Sequence, residues 1–183
     1  MRRSGFLTAA AAALLSVFAV NAASANVITV AGGIGTITCT SSCEAYTGAG
    51  SPGEPTGPGT LSSTTASVYP GNPSNEASEA TRLSTLSGLT FTSADADRTL
   101  GNGGSMSFQT LAEYFLLKLG NVAVYLKNTS GGLLTVDYAA TAGAGAGLSH
   151  YTEFSEVPLP AAGWLMLAGL AGLGFSTRRR KTI

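Results

Sequence analysis

The chain has 183 residues, enough for one domain plus accessory segments, and its formal net charge is zero. That balance conceals a partition: residues 26–156 hold four cations (Arg82, Arg98, Lys118, Lys127) against all ten acids, a net of about −6. An acidic body excludes nucleic acid as a partner, because that contact needs clustered cations to displace counterions.

At the start, Arg2 and Arg3 precede an apolar run over residues 6–20 and the small residues Ala23, Ser24 and Ala25. This is the pattern of a secretory signal peptide over residues 1–25. It predicts passage through the secretory translocon as a helix, then cleavage by signal peptidase after Ala25, so that Asn26 begins the mature chain. A short buried helix is the competing account. Twin-arginine export is disfavoured because Phe6 lies one residue too far from the Arg pair.

Export gives the two cysteines a context. Cys39 and Cys43, in "CTSSC", reach an oxidising compartment and are expected to pair, with two free thiols as the alternative. So short a loop contributes about 2 kcal/mol by loop entropy and pins a tight turn. The spacing fits neither a redox CxxC nor a haem site, and zinc needs more ligands.

"NVITVAGGIGTITC" predicts two short strands around a glycine turn, since β-branched residues dominate. "GSPGEPTGPGT" predicts a polyproline-like surface loop, and residues 44–80 as a whole read as loop-rich and in part disordered. "LSGLTFTS" and "GGSMSFQT" alternate as strands do. In "EYFLLKLGNVAVYLKN", Phe115, Leu117 and Leu119 share one face, as do Val122, Val124 and Leu126. Gly120-Asn121 between them predicts a two-residue hairpin turn. "NTSGG" is the next turn, "LLTVDYAA" puts Leu134, Val136 and Tyr138 on one face, "AGAGAG" is a loop, and "LSHYTEF" is a closing strand. No internal helix is expected. The fold class is therefore all-β: a single antiparallel, jelly-roll-like β-sandwich over residues 26–156, with a signal helix before it and a transmembrane helix after it.

The last segment, residues 157–183, joins three features. Val157, Pro158, Leu159, Pro160 and Ala161 form a proline-framed extended peptide. An apolar run of 15 residues follows, over 161–175, about 22 Å long as a helix and thus short for a bilayer of about 30 Å. Arg178, Arg179, Arg180 and Lys181 then supply a cytoplasmic stop under the positive-inside rule. "VPLPA", a short apolar helix and a terminal Arg cluster resemble the VPLPA variant of the PEP-CTERM sorting signal of exported proteins of Gram-negative bacteria. The resemblance implies processing by a membrane-embedded exosortase, a transient anchor, and delivery to the cell surface, outer membrane or medium. It also implies a β-rich body associated with extracellular polysaccharide or biofilm matrix. Two other accounts of the tail stand beside it. One is a permanent anchor, and the other is a sortase signal read from Leu159 to Gly163, in which Ala162 replaces the usual Thr.

No stretch names a reaction, a catalytic residue, a metal site or a cofactor, and the chain is read as non-enzymatic. His150, the single histidine, has Ser149 beside it and Asp137 upstream. Neighbours on a strand face opposite ways, however, so a Ser-His-Asp site is disfavoured and a secreted hydrolase is the weakest alternative. Asp95 and Asp97 lack the rest of a calcium loop. Glu153 and Glu156 fall on opposite strand faces, which does not suit a glycosidase pair. Asn128-Thr129-Ser130 is a formal glycosylation sequon that serves better as a turn, and "GNGG" over residues 101–104 reads as a turn. A carbohydrate-binding module is the stronger alternative function. Tyr46, Tyr69, Tyr114, Tyr125, Tyr138 and Tyr151 would supply its stacking surface if they lay exposed in a row.

Overall fold

The computed structural model describes residues 24–48, 50–142 and 147–155. Two sheets face each other. The first orders β5 (Thr65–Ala66), β1 (Asn26–Val30), β2 (Gly35–Cys39), β11 (Leu134–Ala140) and β8 (Ser105–Thr110). The second orders β4 (Thr60–Ser62), β3 (Cys43–Thr47), β10 (Val122–Asn128), β9 (Tyr114–Leu119), β12 (Leu148–Phe154) and β7 (Ala96–Gly103). A short strand, β6 (Tyr69–Pro70), also pairs with β10. Among the described residues pairing is antiparallel with one exception: β1 and β5 run parallel, Thr29 beside Thr65.

The predicted hairpin forms as β9 and β10. Val122 pairs with Leu119, and Gly120 takes the positive φ of 57° that the two-residue turn requires. Phe115, Leu117, Leu119, Val124 and Leu126 then point between the sheets, against Ile28, Val30, Ile37, Val136 and Tyr138. The period-2 pattern thus builds one shared core, and each such side chain contributes about 1.5–3 kcal/mol by leaving water. Phe108 closes the β8 edge by stacking on Tyr151, ring centroids 3.9 Å apart.

Cys39 and Cys43 are bonded, with Cα atoms 6.1 Å apart. Cys39 ends β2 in one sheet and Cys43 begins β3 in the other, so the bond spans the corner where the chain changes sheet. Both sulfur-bearing side chains are fully buried in the inter-sheet core.

Two expectations are corrected. The first concerns the helix. Residues Glu76–Ser87 form α1, and the signals for it are local. Asn75 accepts a hydrogen bond from Ser78 N at 2.8 Å as its N-cap. Glu76 and Glu79 place negative charge in the first turn. Gly88, at φ 74°, ends the helix by donating its N–H to Ser84 O. Second, "LSGLTFTS" is no strand. Its first two residues finish α1, Phe91 plugs the space beneath the helix, and Ser93–Asp95 is a 3-10 turn capped by Thr92 and Asp95. Residues 44–80 carry most of β3, then β4, β5, β6 and the start of α1, with loops between these short elements. "GNGG" reads differently as well. Its first three residues end β7, and Gly103 (φ 97°) with Gly104 turns the chain from one sheet to the other.

The expected terminal helices fall on residues 1–23 and 156–183, outside the described residues. Among the described residues no helix is long and apolar enough to cross a membrane.

Candidate functional site

The predicted sorting residues Val157, Pro158, Leu159, Pro160 and Ala161, the basic tail Arg178, Arg179, Arg180 and Lys181, and Ala23 all fall outside the described residues. Of the cleavage-site residues, Ala25 is exposed and Asn26 opens β1. The Asn26 side chain donates to Cys43 O (2.8 Å) and Ser63 O (2.9 Å) and accepts from Cys43 N (3.1 Å). The first strand is therefore tied to the disulfide corner at its first residue.

The strongest polar constellation lies elsewhere, between α1 and the outer face of the second sheet. It begins with strand register. Lys118 of β9 sits opposite His150 of β12, and Arg98 of β7 sits opposite Thr152 of β12. Ser149 lies at a register irregularity between Leu148 and His150 and is exposed, while His150 is buried under the helix. Glu79, one turn into α1, projects into this group. Its Oε1 lies 2.9 Å from His150 Nε2 and 3.0 Å from Arg98 Nη2, and its Oε2 accepts from Thr152 Oγ1 at 2.9 Å. Glu79, His150, Lys118 and Thr152 are all buried.

Burial pushes the Glu79 carboxyl up. Hydrogen bonds from His150 and Thr152, with the charges of His150 and Arg98, outweigh it and hold the group below its ordinary value. An ionised carboxylate only accepts, so His150 donates from Nε2. Lys118 donates Nζ to Gly120 O, while its stem packs on Gly71, where a Cβ would overlap it. Burial lowers its pKa; Glu79 opposes that shift and Arg98 adds to it. Arg98 reaches Glu76 more loosely, at 3.9 Å.

A second clip holds the same helix. Arg82, buried on α1, makes a two-pronged pair with Glu54: Nε to Oε2 and Nη2 to Oε1, each 2.8 Å. It also donates to the carbonyls of Asn72 and Pro73. The Arg82 hydrogen bond is the main reason that the Glu54 carboxyl lies below its ordinary value. Residues 48–59 are thereby fastened to the helix.

The Thr152 hydroxyl is spent on Glu79, Ser149 faces away, and Asp137 lies on β11 in the other sheet. The Ser-His-Asp grouping is not assembled. Asp95 caps the 3-10 turn through Thr92, and Asp97 stands opposite Glu153 across β7 and β12. Among the described residues no three of His, Cys, Asp and Glu gather as a metal site. Asn128 is consumed by its turn, accepting from Ser130 and donating to Gly132 O. All six tyrosines are buried, so no exposed row forms from them. A surface hollow of about 560 Å³ beside Leu111 and Asn128 is crossed by the Glu113–Lys127 ion pair at 3.1 Å, which neutralises its own charges.

Sequence reasoning saw His150 and missed its partner. Glu79 lies 71 positions away, and the helix that aims it was not recognised. The available signal was "SNEASEA", an Asn cap followed by first-turn acids.

No family model matches this chain, and neither a curated protein nor a solved structure matches it.

Proposed function

We propose that this chain is an exported, non-enzymatic surface or matrix protein whose β-sandwich is the cargo of two address segments. Residues 1–25 carry it through the secretory translocon and are removed by signal peptidase. Residues 157–183 hold it in the membrane until an exosortase acts at the VPLPA peptide. The body then resides at the cell surface, in the outer membrane or in the medium, in contact with extracellular polysaccharide. One observation carries the reading. Val157-Pro158-Leu159-Pro160-Ala161, a short apolar run and the cluster from Arg178 to Lys181 stand in this order, with a tripartite signal at the other end of the same chain.

Two features of the body support it. The Cys39–Cys43 bond suits an oxidising compartment. The sandwich begins at Asn26, the residue that signal peptidase would leave first, with its side chain already engaged. The test is intact mass spectrometry of native protein from the producing cells. The expected mass lacks residues 1–25, Trp164 and the Arg cluster. A mature protein that retains its full tail would sink the sorting reading and leave a permanent anchor.

A further inference from the structure

The hold of α1 on the sandwich is chemically unlike the rest of the molecule. Five of its residues are buried, and two of them, Glu79 and Arg82, are charged. Only Ala80, Leu83 and Leu86 supply apolar burial from the helix. Beneath it lies a continuous aromatic sheet face with Tyr46, Tyr69, Tyr114, Tyr125 and Phe154. The helix is a small cover over a large apolar surface, pinned by ionic contacts.

We propose that Glu79 is an acid-sensitive latch, whose protonation frees α1 from the second sheet while the two-sheet sandwich stays folded. The geometry concentrates every sheet-side bond of the latch on this one carboxylate. It accepts from His150 and Thr152 of β12 and pairs with Arg98 of β7. Lys118 of β9 faces the same spot from beside His150. Once Glu79 is neutral, Arg98 and Lys118 lose the buried charge opposing them. Glu76, half exposed and 3.9 Å from Arg98, is too peripheral to replace it.

The other groups around the helix do not compensate. Arg82 is committed to Glu54, and Asp95 to Thr92. The Tyr125 hydroxyl of β10 is held protonated by burial, with its pKa moved far above the ordinary value. Among the described residues no buried carboxylate or amine lies in the inter-sheet core, so acid has no comparable target there. Because the folded-state pKa of Glu79 is lowered, its contribution is complete above the ordinary carboxyl range and fades as pH falls through the lowered value.

Hydrogen exchange on the full chain in neutral detergent, followed by mass spectrometry, tests this. Between about pH 7 and about pH 3, with intrinsic rates corrected, residues 76–87 should lose protection at least about tenfold while the β9–β10 hairpin keeps its own. At neutral pH, Glu79→Gln should reproduce the acid pattern and open the bond after Arg82 to trypsin. If Glu79→Gln also strips protection from the hairpin, the acid series is run on Glu54→Gln, which lacks the helix's other acid-sensitive clip, and decides alone. Loss of helix and hairpin together, or a helix still protected at about pH 3, would overturn the latch.

Discussion

The second sheet has two buried faces, and they are held by different physics. Its inner face is apolar throughout: Phe115, Leu117, Leu119, Val124 and Leu126 meet the first sheet with no ionisable carboxylate or amine among them. Its outer face mixes Tyr114, Leu116, Tyr125 and Phe154 with buried Lys118, His150 and Thr152, and it is closed by a helix that inserts Glu79. Burial against the first sheet is non-directional and insensitive to pH. Burial under α1 depends on bond geometry and on one carboxylate staying ionised. The same three central strands therefore carry a robust core on one side and a conditional one on the other.

The largest expected effect attacks the inner face. Phe115→Ala should cost about 3–5 kcal/mol, because a fully buried ring leaves a cavity between two sheets. Urea unfolding should show the whole body shifting in one transition. A loss confined to α1 would break the comparison.

Next comes Glu79→Ala, with an expected loss of about 3 kcal/mol as partly buried Arg98 and buried His150 and Thr152 lose their partner. That loss should be read in the exchange of α1. It should shrink as pH falls, since the wild type then forfeits the same contribution. An effect equal at neutral and acid pH would remove the electrostatic account of the outer face.

Replacing both Cys39 and Cys43 by Ala should cost about 2 kcal/mol, in line with a short closed loop. It should move the global denaturation midpoint, because the bond sits at the sheet-crossing corner of the inner core. The smallest change is Asn75→Ala. Loss of the cap at 2.8 Å should weaken α1 by about 1 kcal/mol and leave the hairpin's exchange untouched.

Much of the inner face was legible as a pattern. Alternation in "FLLKLGNVAVYL" identifies the residues that face the first sheet, and Gly120-Asn121 locates the turn between them. That works because side-chain direction along a strand and backbone freedom at a glycine are local properties. The outer face was not read this way, since Tyr114, Leu116 and Lys118 look like the solvent side of the same alternation. Nothing within β9 announces that a helix lies on them. The helix itself carries its own marks, Asn75 and Gly88. They were obscured by Ser and Thr, residues that compete with helix formation when no cap or tertiary contact decides the matter.

The candidate site divides along the same line. The proposed address segments would be read as linear peptides, and the charge, hydropathy and proline that define them are complete in the order of residues. So are the strand periods, the turns and the closeness of Cys39 to Cys43. The meeting of Glu79 with His150, Arg98 and Lys118 is of another kind. It requires β12 to lie between β7 and β9, and a helix to cross above them, before four residues spread over 72 positions share one buried volume. No local rule encodes that. Strand order and helix docking are long-range consequences of which apolar faces must be covered, and they alone turn an isolated histidine into part of a charged latch.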